Sequence, residues 1–151
     1  MCVERRPASR SNLTGSREAR GSRLHDDPAM AMTMTVLVVD DHPTFRRFVR
    51  RLLEESGFSV VGEAGDCKGA LEAARALRPQ AILLDVMLPD GSGLEIASTL
   101  SAGEPAAAVV LTSSRRASDF GAALEESSAR GFLCKDELSG AAFAALVDPP
   151  R

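Results

Sequence analysis

Four places in the chain carry a polar or charged side chain where a short hydrophobic run ends. Asp40 and Asp41 follow Val36-Leu37-Val38-Val39, and Asp85 follows Ala81-Ile82-Leu83-Leu84. Thr112 follows Val109-Val110-Leu111, and Lys135 follows Gly131-Phe132-Leu133-Cys134. Three carboxylates drawn together raise one another's pKa and call for a cation. An all-oxygen ligand set of this kind suits Mg²⁺. Asp85 is a candidate nucleophile, since a carboxylate can form an acyl phosphate. Transfer of a phosphoryl group needs its oxygens neutralised and held, for which Lys135 offers a point charge and Thr112 a hydroxyl donor. Taken singly, each residue has a plainer role: an Asp caps a helix, a Thr forms a turn, a Lys sits solvated at a strand end. Their coincidence favours a magnesium and phosphate pocket.

The elements that would bring them together alternate from Thr35 onward. Runs of β-branched and aliphatic residues read as buried parallel strands at about 35–39, 58–64, 81–84, 107–111 and 131–134. Between them lie helix-period segments. The first, about 43–56, puts Phe45, Phe48, Val49, Leu52 and Leu53 on one face, with Pro43 in the first turn and Gly57 just past the end. The second runs from Asp66, a plausible N-cap, to Leu77, and Pro79 stops it. Residues 87–93 read as a loop into a third helix with Leu94, Ala97 and Leu100 inward. A fourth helix is expected over about 118–127, Ala- and Ser-rich and the least stable, and a fifth from Ser139 to Val147. Five βα units with right-handed crossovers make a five-stranded parallel sheet with helices on both faces. Polar groups at the carboxyl ends of its strands share one rim, where open α/β sheets bind ligands.

Length and composition fit one soluble domain: 151 residues, 44% hydrophobic and 26% charged. No apolar stretch approaches the ~20 residues of a membrane helix. Residues 1–33 hold six Arg against four acids, whereas residues 34–151 hold 12 basic and 17 acidic side chains. An acidic domain is poorly suited to binding nucleic acid directly. Cys2, Cys67 and Cys134 have no metal-ligand spacing, and free thiols in a reducing cytoplasm are expected. Residues 1–33 lack apolar periodicity and read as a disordered N-terminal extension, with one folded domain at 34–148 and a tail at 149–151. Met30, Met32 and Met34 precede the first strand, and each is an alternative start to Met1.

The segments Val36–Pro43, Leu83–Glu95, Val110–Ser113 and Arg130–Asp136 together resemble a response regulator receiver domain, over about residues 35–147. The likeness is strongest to receivers that precede LuxR-type helix-turn-helix domains, which often carry the Asp-Asp-His-Pro and Lys-Asp pairs. It implies a flavodoxin-like (βα)5 fold with strand order 2-1-3-4-5. It implies that Asp85 accepts a phosphoryl group from a sensor histidine kinase or phosphotransfer protein. Asp41, Asp85 and the Met87 backbone carbonyl would bind Mg²⁺, with Asp40 acting through water. Thr112 and Lys135 would contact the phosphoryl oxygens. Phe132, three residues before the lysine, matches the switch aromatic, which would alter the face formed by the fourth helix, fifth strand and fifth helix.

Two departures stand out. Ser127-Ser128-Ala129 replaces a glycine turn usual before the fifth strand, and Gly121 lies inside the fourth helix. His42 matches a residue ordinarily at the start of the first helix. Sixteen residues follow Lys135, so the expected output is contact with an unknown downstream protein, in the cytoplasm, with a phosphorylation-dependent dimer as one form. The chain would catalyse only its own phosphorylation and dephosphorylation. Alternatives are a remnant of a two-domain DNA-binding regulator and a phosphorylation-independent pseudo-receiver. A haloacid-dehalogenase-type phosphatase would need an Asp where Met87 stands, and a dinucleotide-binding fold would need its glycine fingerprint in place of Gly62, Gly65 and Gly69.

Overall fold

The computed structural model describes residues 4–5, 33–104 and 106–147. Among them, in chain order, are β1 (Glu4–Arg5), β2 (Thr35–Val39), α1 (Pro43–Glu55), β3 (Ser59–Ala64), α2 (Cys67–Leu77) and β4 (Ala81–Asp85). There follow β5 (Met87–Leu88), β6 (Gly91–Ser92), α3 (Gly93–Ser101), β7 (Ala108–Ser113), α4 (Ala122–Glu125), β8 (Gly131–Cys134) and α5 (Gly140–Val147). The sheet runs β1-β8-β7-β4-β2-β3. Its five long strands are parallel and give the expected 2-1-3-4-5 order.

Strand periodicity sorts the core into two halves. Leu37, Val39, Ile82, Leu84, Val109, Leu111 and Phe132 pack with Ala70 of α2, Ala97 and Leu100 of α3 and Leu124 of α4. Val36, Val38, Ala81, Leu83, Val110 and Leu133 pack with Val49 and Leu53 of α1 and Phe143, Leu146 and Val147 of α5. The central strands are buried on both faces, which is why they read as continuous apolar runs rather than alternating ones.

Helix ends follow local chemistry. Asp66 caps α2 by accepting from the Gly69 amide at 2.7 Å. A second carboxylate, Asp90, accepts from the Cys67 and Lys68 amides at 2.7 and 3.1 Å, tying the segment after β4 to the start of α2. Past α1, Gly57 takes φ +97°.

Three expectations are corrected. The segment 87–93 is not wholly a loop: Met87–Leu88 and Gly91–Ser92 form a small antiparallel ladder. The fourth helix is far shorter than 118–127. A 3-10 turn at Ala117–Asp119 is followed by four helical residues, because Gly121 between them adopts φ 57°, ψ −136° and breaks the hydrogen-bond run. Ser128 takes φ 70° where a glycine would be at ease. Third, Glu4–Arg5 are not structureless: they pair antiparallel with Phe132 and Gly131 at the free edge of β8, whose unpaired backbone groups invite a further strand. The rest of the extension up to residue 32, and the tail, lie outside the described residues.

Candidate functional site

The same periodicity that sorts the core builds the site. Asp40 continues the Val36, Val38 series, Asp85 the Ala81, Leu83 series, Thr112 the Ala108, Val110 series, and Lys135 follows Leu133 at the next even step. All four therefore leave the strand ends on the face covered by α1 and α5. Asp85 and Thr112 are direct neighbours in the β4–β7 ladder.

Lys135 Nζ lies 2.6 Å from Asp40 Oδ2 and 3.1 Å from Asp85 Oδ2, an ammonium shared by two buried carboxylates. Asp40 is 1% exposed and Asp85 4%. Burial pushes the Asp85 carboxyl up to about 6; Lys135 and the Met87 amide, 3.1 Å from Asp85 Oδ1, oppose that rise, and the nearby Asp40 adds to it. Burial also pulls on Asp40, but there the Lys135 contact and the His42 amide, 2.8 Å from Oδ1, prevail and hold it below the usual carboxylate range. Burial works against the Lys135 charge, and the two carboxylates more than reverse that, so its pKa is raised. The strand ends thus fix two carboxylates and one ammonium in mutual contact.

Asp41 stands further out. With Asp40 and His42 it forms a group whose ligand atoms lie within 4.8 Å of one another. His42 Nδ1 is 3.0 Å from Asp41 Oδ1 and 3.3 Å from Asp40 Oδ1, so this imidazole, expected only to open the first helix, touches both acids. Donor chemistry fits a hard divalent cation: buried carboxylates with one ammonium between them and a further, part-exposed carboxylate at the mouth.

Thr112 Oγ1 donates to the Leu133 carbonyl oxygen at 2.7 Å. Phe132, fully buried, lies on the other face of the sheet, its ring centroid 5.8 Å from that of Phe120. Threonine and aromatic are thus connected through the backbone of β8 rather than by side-chain contact across one face.

Two neighbours escaped the sequence reading. Phe45, assigned only to the apolar face of α1, has Lys135 Nζ 4.5 Å from its ring centroid. Arg46 Nη1 donates to the Asp40 carbonyl oxygen at 2.6 Å while its Nε bonds Glu63 Oε1 at 2.9 Å. Their positions one and a half turns from the acidic pair were legible; the partners reached by their side chains were not. Cysteine readings divide: Cys67 is free, with burial raising its thiol to about 11, but Cys134 is disulfide-bonded. Wide spacing in sequence does not report proximity, on which a disulfide depends.

The profile of the response regulator receiver domain matches residues 36–146. Among curated proteins, the nitrate/nitrite response regulator protein NarP of Escherichia coli is 43% identical over 108 residues, covering 70% of this chain and 50% of NarP. The virulence-factors transcription regulator BvgA of Bordetella pertussis is 41% identical over 103 residues, 68% of this chain and 49% of BvgA. The chain spans about half the length of these relatives. The solved signal receiver domain of NarL from Mycobacterium tuberculosis is 35% identical, superposes with a TM-score of 0.69, and is covered to 94% by 77% of this chain. With the fold and the acidic pocket in hand, this chain belongs to the response regulator receiver domain family of two-component systems.

Proposed function

We propose that this receiver is a phosphorylation switch in which Asp85 is the phosphoacceptor. One observation carries the reading: Asp85 sits at a strand end, 4% exposed, with the Lys135 ammonium at 3.1 Å and Thr112 beside it in the ladder. An Asp85 carboxylate oxygen attacks the phosphorus of a phosphohistidine on a sensor kinase or phosphotransfer protein. The P–N bond breaks, its electron pair stays on the imidazole nitrogen, and an acyl phosphate forms. Lys135 neutralises charge on the phosphoryl oxygens, and Thr112 donates its hydroxyl to one of them. Asp41, Asp85 and the Met87 carbonyl would hold Mg²⁺, with Asp40 acting through water, and the bound ion would supply the remaining charge compensation.

For Thr112 to reach the phosphoryl group it must leave the Leu133 carbonyl. That frees the β8 backbone next to Phe132 and biases the face of α4, β8 and α5, where a downstream protein or a second receiver binds. The chain's chemistry is confined to making and losing its own acyl phosphate. Among the described residues no helix is long and apolar enough to cross a membrane, and we place the switch in the cytoplasm, where histidine kinases present their phosphoryl groups.

A second reading is favoured by the length of the curated relatives: the receiver acts within a two-domain DNA-binding regulator. Sequencing the transcript beyond the Arg151 codon separates the two. The phosphoacceptor itself is tested by intact-mass spectrometry after incubation with acetyl phosphate and Mg²⁺. One Mg²⁺-dependent phosphoryl adduct, absent from Asp85→Asn, is the expected result; a folded, metal-binding chain with no adduct overturns it.

A further inference from the structure

We infer that Phe45 is a positioning residue for the phosphoryl transfer, acting by holding the Lys135 ammonium against the face of its ring; this rests on the phosphoacceptor reading of Asp85. Among the described residues, three groups contact Lys135 Nζ. Two are carboxylate oxygens, on Asp40 at 2.6 Å and Asp85 at 3.1 Å, and the third is the Phe45 ring, with its centroid at 4.5 Å. The negative face of an aromatic ring attracts an ammonium within about 6 Å, more strongly where water is excluded, and Lys135 is only 17% exposed.

A lysine side chain has four rotatable carbons and a compact charge, so unlike an arginine it brings no fixed geometry of its own. Something must confine it. The carboxylates alone do so poorly, because a metal ion and a phosphoryl group both compete for them. The ring is the one neighbour that no step of the transfer alters. Phe45 lies in the first turn of α1, three residues beyond His42, anchored by partial burial in the α1–α5 half of the core and by the Phe48 ring at 6.1 Å. It therefore offers Lys135 a fixed apolar wall before and after Asp85 is charged.

The plain alternative is that Phe45 merely fills space between α1 and the sheet. Phe45→Leu keeps an apolar side chain there and removes the ring, and Phe45→Tyr restores the ring with its hydroxyl able to reach solvent. Acetyl phosphate is the donor, so that an effect cannot arise from kinase docking on α1. Two readouts are taken on the full chain: the ring-current upfield shift of the Lys135 ε-methylene protons, assigned by their loss in Lys135→Arg, and the rate of adduct formation at saturating Mg²⁺.

The wild-type chain is expected to show the shift. Phe45→Leu loses it and is phosphorylated about tenfold more slowly, and Phe45→Tyr recovers both. Phosphorylation of Phe45→Leu at the wild-type rate overturns this inference and leaves the phosphoacceptor reading intact. So does an unshifted lysine in the wild-type chain, or a slow Phe45→Tyr. A wild-type chain that forms no adduct, with the lysine shifted, overturns the phosphoacceptor reading and this role with it.

Discussion

The hydroxyl of Thr112 is hydrogen-bonded to the carbonyl oxygen of Leu133, 2.7 Å away on the adjacent strand, where both residues are buried. The group proposed to meet the phosphoryl oxygens is thus already engaged, and engaged with the strand that carries Phe132. Thr112→Val removes the donor at constant shape and strands a buried acceptor, costing about 1–3 kcal/mol. Urea unfolding measures that loss, and Thr112→Ser should recover most of it. A Val variant as stable as wild type would show that the bond holds nothing together.

Asp85 makes stability depend on pH in a definite direction. Its carboxyl is pushed from 3.8 up to about 6, chiefly by burial, so the folded chain binds this proton more tightly than the unfolded one. The associated stability is full below 3.8 and lost as pH rises through about 6. Asp40, held below 3.8, acts oppositely: its contribution is present above that value and lost as pH falls. Asp85→Asn is therefore expected to be more stable than wild type at pH 7 by roughly 3 kcal/mol, with the advantage shrinking between pH 7 and pH 4. Thermal unfolding across that range checks it; a constant or inverted difference would mean that the carboxylate is comfortable where it is.

Arg46 reaches under the acidic pair. Holding the Asp40 carbonyl at 2.6 Å and Glu63 at 2.9 Å, it fixes the backbone from which Asp40 and Asp41 project. Arg46→Met should weaken Mg²⁺ binding about tenfold, as supporting groups around metal ligands commonly do. Titration calorimetry reads the affinity directly. The effect of Glu63→Gln should be smaller, since Arg46 keeps its bond to the carbonyl; an unchanged affinity in Arg46→Met sinks the argument.

Around α4 two residues with positive φ predict opposite signs. Ser128 at φ 70° carries a side chain in the left-handed region, and Ser128→Gly should relieve about 0.5–1 kcal/mol. Gly121, at φ 57° and ψ −136°, occupies a region closed to other residues, and Gly121→Ala should cost about 1–3 kcal/mol. Chemical denaturation of both variants decides the matter. Stabilisation by the alanine would mean that the break in the helix is not set by this glycine.

Most of the architecture was readable because strands buried on both faces are written as unbroken aliphatic runs, and because Pro43, Gly57, Asp66 and Pro79 punctuate the helices between them. The bond between Asp85 and Lys135, fifty residues apart, followed from both lying at carboxyl ends of strands in one parallel sheet. Helix propensity misled at 118–127: the alanines favour a helix, but one glycine conformation outweighed them. Two-residue ladders such as Met87–Leu88 with Gly91–Ser92 leave no periodic trace at all. Phe45 and Arg46 were visible as members of an amphipathic helix, yet their contacts depend on where Lys135, Glu63 and the Asp40 carbonyl come to rest in space.

Gly140, at the start of α5, faces Ser56 so closely that a β-carbon there would overlap the serine side chain. The two helices on that side of the sheet are locked together by contact without slack, like a splint. Across the sheet, α4 is four residues long, with Gly121 at positive φ directly before it and Ser128 at positive φ three residues beyond it. A push delivered at the rim between these two sides does not spread evenly. Under the proposed switch, the close-packed side would pass the load on, and displacement would collect on the side of the short helix, as it does in any frame with one loose panel. On that proposal the shortness of α4 would set where this domain yields, and in which direction a signal leaves it.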